Sequence, residues 1–473
     1  MATYTFETMT SADAANFVAG DTLTFSGSTL TPADVVVANS ANGFDITTLT
    51  AGGKSLSFPS PALSGATIQF ASSFIAGTDA KLVIGTNGVD SLFPDSDDDG
   101  SVLYAFAGDD SINAFDSGAM TISAGDGNDI LNAFGGGSID GGAGDDQITS
   151  TTADDLIITG GAGDDSILVN GTGDATISGG AGVDIVTINS TADGVFSISL
   201  DDGNDVMSAN SSDATLVVNG GGGADSITGG TGNDRLYGQS AAGGADGNDN
   251  INGRGGADYI QGNAGADTLS GAEGSDRIFG GADNDVINGG DGNDSVNGNK
   301  GADDIRGGDG NDSLRGGADG DRIFGDAGND VIQGDAGNDT IIGSDGVDIL
   351  SGGDGNDLFA FVGPDAGSLV VGDVTFTDRI TDFGTGDRID LGFSVTDVTS
   401  ASGVLFTTVA AAFDYAERTG VDDNEVLALT VGTNTYLFYR AGGQDGAVDS
   451  VITLNGVSAL TAESFANTGI LEG

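Results

Sequence analysis

A carboxylate recurs every nine residues through the middle of this chain, at Asp249, Asp258, Asp267, Asp276, Asp285, Asp294, Asp303, Asp312, Asp321, Asp330, Asp339, Asp348 and Asp357. Two places after each acid stands an apolar side chain, from Ile251 and Ile260 through Ile305 and Leu314 to Leu350 and Phe359. A regular file of carboxylates is chemistry for a hard cation. Calcium takes roughly six to eight oxygens in flexible geometry, from carboxylates and backbone carbonyls alike. Softer metals find no ligands, because the chain has no Cys and no His. Magnesium suits the pattern less well, since it prefers octahedral geometry and keeps its waters.

The elements that position these acids follow from their neighbours. The fullest units read Gly289-Gly290-Asp291-Gly292-Asn293-Asp294-Ser295-Val296-Asn297 and Gly352-Gly353-Asp354-Gly355-Asn356-Asp357-Leu358-Phe359-Ala360. Glycines at the first, second and fourth places open each unit with a tight turn. The last three places are free to extend, and in a strand the eighth side chain points opposite to the seventh and ninth. The seventh and ninth places carry Arg235, Arg277, Arg306, Arg315 and Arg322, which need water, and the eighth never does. Turn plus strand reverses the chain, so two units make one coil and strand n stacks in parallel on strand n+18. One buried aliphatic side chain per unit contributes less free energy than ordering nine backbone residues costs. Stacked Asp turns also bring like charges together, so a cation must supply the missing attraction. A disordered acidic linker has no reason to hold an apolar residue in this register. Stacking turn n on turn n+18 gives on the order of ten oxygen-rich sites. Imperfect units, among them Gly298-Asn299-Lys300-Gly301, Arg254 in a second-glycine place, and Asp319 in Gly316-Gly317-Ala318-Asp319, are weaker carbonyl donors by this reading.

Upstream the same acid-plus-apolar signature continues at a longer interval, at Asp90, Asp110, Asp129, Asp146, Asp165, Asp184, Asp205 and Asp225, close to one full coil apart. Strand-like segments without an Asp turn lie between them, such as Ala175-Thr176-Ile177-Ser178 and Thr215-Leu216-Val217-Val218. This predicts one cation row along one edge of residues 85–224, and two rows in 225–360, where Asp234 joins the file. The alternative for the upstream acids is that they cap the turns of a metal-free solenoid. The longer interval from Asp234 to Asp249 marks Gln239 to Ala245 as a loop.

Residues 1–84 show strand patterns at Thr22-Leu23-Thr24-Phe25 and a hairpin through Phe44-Asp45-Ile46, Gly52-Gly53 and Leu56-Ser57-Phe58, with a short helix over Ser11 to Val18. They form a small β-rich domain that would close the first coil. In 361–473 the glycines thin out and aromatics appear. A helix is expected with Val409, Ala412, Phe413 and Ala416 on one face, then strands at Val426 to Val431, Thr435 to Tyr439 and Val451 to Leu454. The fold class is therefore all-β, a parallel β-roll between an N-terminal β-rich domain and a C-terminal β-rich cap.

With 85 Gly and 6% aromatic residues, one ordinary large core is excluded. The formal charge of −59 argues against nucleic acid and anionic membrane as direct partners. No apolar stretch is long enough to span a bilayer, and the first residues have neither a basic region nor an apolar signal core. Without His there is no His-Glu-x-x-His zinc site and no Ser-His-Asp or Cys-His arrangement. Paired carboxylates are too abundant here to single out a glycosidase site. A catalytic role is not expected.

The nonapeptide Gly-Gly-x-Gly-x-Asp followed by an apolar eighth residue resembles the RTX calcium-binding repeat of hemolysin-type proteins. Asp378-Arg379-Ile380-Thr381-Asp382-Phe383 and Asp387-Arg388-Ile389-Asp390-Leu391 resemble the element that caps such rolls. The resemblance implies bound Ca2+, ten ions or more, and export from a Gram-negative cell by a type I secretion apparatus that reads an uncleaved signal, here from about Ala441 to Gly473. Extracellular calcium modules bind at about 10⁻⁴–10⁻³ M, so the roll would stay unfolded inside the cell and form outside. The arrangement as a whole is similar to RTX-type surface-layer and matrix proteins of alphaproteobacteria. That likeness implies an extracellular, cell-surface structural protein that self-associates into a lattice or filament, with a cell-surface polysaccharide as a further partner. The other reading is a soluble calcium-dependent adhesin or host-interaction factor that binds glycans.

Overall fold

The computed structural model describes residues 82–361 apart from short breaks at 86–87, 94–100, 116–117, 152–153, 172, 191–193, 211–212 and 240–245, together with 378–391, six strands within 1–81 and the pieces of 397–465 named below. The chain forms two compact units, residues 1–235 with 239–245 and residues 236–238 with 246–473. The expected helix over Ser11 to Val18 and most of the expected loop at 239–245 lie outside the described residues.

The first unit opens with two small sheets. Thr3–Thr5, Thr22–Phe25 and Thr67–Phe70 pair in parallel. Val36–Asn39, Ile46–Ala51 and Lys54–Pro59 pair antiparallel, with Leu49 opposite Leu56 and Ala51 opposite Lys54, the pairing the expected hairpin requires. Then the coils begin. The chain alternates between two parallel ladders, one running through Val102–Ala107, Met120–Asp126, Gly137–Ala143, Leu156–Ala162, Ala175–Ala181 and Val195–Asp202, the other through Ser111–Ala114, Ile130–Ala133, Gln147–Ser150, Ser166–Val169, Ile185–Ile188 and Val206–Ala209. Each ladder sends alternate side chains inward; the large aliphatic column is Leu103, Ile122, Ile139, Ile158, Ile177 and Ile198 in the first and Ile112, Leu131, Ile148, Ile167, Val186 and Met207 in the second, all buried. Apart from buried Val102, their neighbours at i±1 face out, as the pleat requires. A one-residue slip would turn every column to solvent, and this fixes the register.

In the second unit the step is regular. Thr268–Glu273, Val286–Asp291, Asp304–Asp309 and Arg322–Ala327 form one ladder, and Tyr259–Ala264, Arg277–Ala282, Ser295–Lys300, Ser313–Ala318, Val331–Ala336 and Ile349–Asp354 the other. Ile278 meets Val296 and Ile287 meets Ile305, so the predicted n/n+18 stacking and the buried eighth place are both observed. Asp378–Ile380 extends the second ladder beyond the nonapeptides, adding to Ile349–Asp354 on one side and to Ser450–Asn455 on the other. Ser450–Asn455 continues antiparallel to Asn434–Tyr439, which pairs with Glu425–Val431. Ala412 and Ala416 are helical and buried against Leu427, Leu429, Phe438 and Val451, as the expected apolar helix face requires; Val409 and Phe413 lie outside the described residues.

Candidate metal centre

Each acid of the regular run stands at the end of a turn, immediately before a strand, and is almost wholly buried. Its two oxygens have different fates. One accepts the backbone N–H of the acid one coil earlier: Asp249 N–H donates to Asp267 Oδ1 at 2.8 Å, Asp276 to Asp294 at 2.8 Å, Asp339 to Asp357 at 3.0 Å. The other, Oδ2, is buried and accepts no hydrogen bond at Asp267, Asp276, Asp285, Asp294, Asp303, Asp312, Asp321, Asp330, Asp339, Asp348 and Asp357. A buried carboxylate oxygen without a partner is costly, and a whole file of them calls for a common ligand. Asp258 and Asp249 are buried in the same files.

Where the residue before the acid is Asn or Ser, it stitches in the opposite direction. Asn311 N–H donates to Asn293 Oδ1 at 2.8 Å and Asn329 N–H to Asn311 Oδ1 at 2.8 Å, so turns with Asn at this place are tied to both neighbours before any cation enters, whereas Ala266, Ala302, Gly320 and Val347 offer no such acceptor.

The first-place glycine shapes the remaining space. A Cβ on Gly262 would fall on Asp267 Oδ2 and lie 2.7 Å from the carbonyl oxygen of Gly280; a Cβ on Gly271 would fall on Asp276 Oδ2 and lie 2.5 Å from that of Gly289. Carboxylate and carbonyl oxygens thus converge where the side chain is missing. The second place behaves otherwise. It keeps a left-handed backbone with or without glycine, with φ of 71° at Arg254, 75° at Ala272 and 75° at Asn299, so the imperfect units hold the same turn as the perfect ones.

Electrostatics agree with the geometry. Burial pushes the carboxyls up, to about 8 at Asp267, about 7 at Asp285, Asp321, Asp330 and Asp348, and about 6 at Asp276, Asp312 and Asp339. At most of them the N–H from the previous coil pulls the other way, and neighbouring carboxylates push further up. A divalent cation would reverse both penalties.

The upstream acids form a single file of the same kind. Asp110, Asp129, Asp146, Asp165, Asp184 and Asp205 are buried, each with an unpartnered Oδ2. Asp110 N–H donates to Asp129 Oδ1 at 2.7 Å and Asp165 N–H to Asp184 Oδ1 at 2.9 Å. Asp90 begins this file, half-buried, its N–H on Asp110 Oδ1, and Asp225 is buried and accepts the N–H of Asp205. Asp234 is placed differently: both its oxygens take backbone N–H groups, from Leu216 and Gly230, each at 2.9 Å. It closes a turn of its own. Sequence spacing missed Asp378, which lies 30 residues after Asp348 yet receives its N–H at 2.9 Å. The signal was present, since Asp378-Arg379-Ile380 repeats the acid-plus-apolar signature, and Ile380 is fully buried.

Among the described residues, no three His, Cys, Asp or Glu side chains gather around one point. A cation here must therefore combine carboxylates with backbone carbonyls. This all-oxygen donor set fits calcium. Asp267 to Asp357 and the first-place glycine carbonyls would hold it, and its charge would bind successive turns to each other.

The model of the RTX calcium-binding nonapeptide repeat (4 copies) matches residues 217–241, 243–278, 270–305, 297–332 and 324–359. No curated protein matches the sequence. Among solved structures, the AlgE6R3 subunit of the mannuronan C5-epimerase from Azotobacter vinelandii is 33% identical over 34% of this chain and 80% of its own, with a TM-score of 0.25. The AlgE6R2 subunit of the same epimerase is 26% identical over 36% of this chain and 95% of its own, with a TM-score of 0.24. With the family match lying on the parallel coils that carry the buried acid files, this chain is an RTX-type repeat protein whose repeats bind calcium.

Proposed function

We propose that this chain is a secreted structural protein whose β-roll folds on extracellular calcium and then assembles at the cell surface as a lattice, matrix or filament. The observation that carries the reading is the file of buried Oδ2 atoms, since a roll that needs a divalent ion at each turn is a folding switch set by the calcium of its surroundings. RTX repeat proteins are typically secreted, and among the described residues no helix is long and apolar enough to cross a membrane. Export would proceed through a type I apparatus with the chain unfolded. Self-association is supported by aliphatic side chains on the outer faces of the first unit, where Ile130, Ile157, Ile185 and Val195 are 44–54% exposed, and by acidic surfaces that calcium can bridge. The role is non-catalytic. Electron microscopy of the purified chain should show sheets or filaments in millimolar calcium that dissolve with chelator. A protein that stays monomeric at every calcium concentration would end the assembly reading.

One observation favours the glycan-binding alternative. Tyr237, Tyr259 and Phe279 form a partly exposed aromatic row in the second unit, with ring centroids 5.7 and 5.6 Å apart and the amide of Gln261 beside Tyr259. Apolar faces rimmed by amides suit sugar rings. Glycan binding by the monomer that is abolished in Tyr259→Ala would favour this reading over the lattice.

A further inference from the structure

One outer face of the first unit carries no charge. In the seven strands stacked from Ser111–Ala114 to Ser226–Thr228, the second residue of each is buried and the first and third lie at the surface. These surface places hold only Ser, Thr, Asn, Gln, Ile, Leu and Val. Corresponding places in the second unit behave otherwise, with Asp304, Arg306 and Arg322 among them. In a chain of net charge −59, a solvated face has no reason to exclude every carboxylate. A face that meets another surface does, because charge is depleted in the core of an interface.

The same face is apolar where it is most exposed. Ile130, Phe134, Ile185 and Val206 are 41–48% exposed, and Phe134 stacks on Phe115 with ring centroids 4.7 Å apart. Its amides already have partners: Asn132 Nδ2 donates to Asn113 Oδ1 at 2.9 Å, and Asn113 Nδ2 to Ser111 Oγ at 3.3 Å. Covering them therefore leaves little polar surface unpaired. The acids stand at the edge instead, where Asp109, Asp145 and Asp164 are exposed in the turns that precede the strands.

We infer that two copies of the chain meet through this face, sheet against sheet, with the same residues on both sides; this rests on the self-association proposed above and names its contact. Two molecules of this net charge repel wherever both present acids, and this ladder is a surface on which neither does. A basic partner would find no carboxylate on it to pair with. Seven strands cover about 34 Å and four residues about 13 Å, so two such faces with their flanking Phe rings bury about 1,000 Å², enough for a specific contact. Inward-facing rows of two sheets interdigitate at about 10 Å separation. The edge acids fix the alignment, since a slipped pairing would bring carboxylates of one copy over the apolar rows of the other. Calcium is needed to fold the roll and makes no bond across this contact.

The test follows the full chain in saturating calcium by sedimentation. Phe134→Lys and Ile185→Lys should each weaken association by about tenfold or more, because the same cation then faces itself across the pair. Val331→Lys, on an outer face of the second unit, should associate like the parent, and added sodium chloride should strengthen the parent's association by screening the edge acids. Association of both face variants at the parent's strength would overturn the inference and leave the assembly reading standing through another contact. So would association that salt weakens, which would assign the contact to acids bridged by calcium. A parent that stays monomeric would remove both, whatever else this face may hold. Should the Lys variants lose the calcium-induced β signal, Thr187→Cys decides, since the chain has no other Cys. Its thiol should be alkylated several-fold more slowly at concentrations where the protein associates, and an unchanged rate is the contrary result.

Discussion

At the scale of the residue, the glycines of the repeat divide into two kinds that the sequence writes alike. The first-place glycine is required by space, because a Cβ there would displace the very oxygens that face the cation. The second-place residue is required by backbone angle, which Arg254, Ala272, Asn299 and Asp335 all adopt, at a cost of roughly 1–2 kcal/mol for a residue with a Cβ. Gly271→Ala should therefore destabilise the calcium-loaded protein by about 1–3 kcal/mol, as an overpacked core does. Ala272→Gly, one residue on, should change stability by less than about 1 kcal/mol, since relief of the left-handed angle is offset by a more flexible unfolded chain. Thermal melts of the two variants in saturating calcium measure the difference. Equal effects would show that the first-place cradle has no special role.

At the scale of the element, the pleat decides what each side chain is for. Ile287 is 1% exposed in the inward column, while its neighbour Val286 is 54% exposed. Ile287→Ala should cost about 2–5 kcal/mol in denaturant unfolding, and Val286→Thr should stay within about 0.5 kcal/mol. A large loss at Val286 would mean that the outer face is covered by something the single chain does not contain. Much of this was legible beforehand, because an unbroken nine-residue period ties turn, strand and acid to one phase, and the inward columns and the n/n+18 register follow from it. What the period could not show lies where it breaks. Asp378 follows Asp348 after a long insertion, so counting in nines passes over it although its partner strand is the next in the stack. Asp234 keeps the phase but meets Gly230 and Leu216 instead of an open turn, and only the three-dimensional path reveals that both its oxygens are taken. The opposite reach of the Asn ladder was likewise hidden, since a side chain's direction along the stack leaves no mark on spacing.

At the scale of the whole molecule, a chain of net charge −59 buries a series of its own carboxylates, and proton and calcium must compete for them. In the metal-free fold burial raises Asp276 to about 6, Asp285 to about 7 and Asp267 to about 8, from the ordinary value of 3.8. The folded state then holds protons that the unfolded chain has released. Its stabilising contribution is complete below 3.8 and is lost as pH rises through about 6 to 8, so metal-free protein is weakest at neutral and alkaline pH. Calcium requires the ionised form, and its affinity should fall over the same interval as pH drops. Far-ultraviolet circular dichroism should accordingly show more β signal in metal-free protein at about pH 5 than at about pH 8, with a large gain on adding millimolar calcium at the higher pH and a small one at the lower. Magnesium at equal concentration should not reproduce the gain, because the converging carbonyls and carboxylates suit a larger, less strictly octahedral ion. If the signal at the higher pH were already complete in chelator, hydrogen bonds from the Asn and Asp ladders would be enough to hold the coils, and the cation would be a passenger.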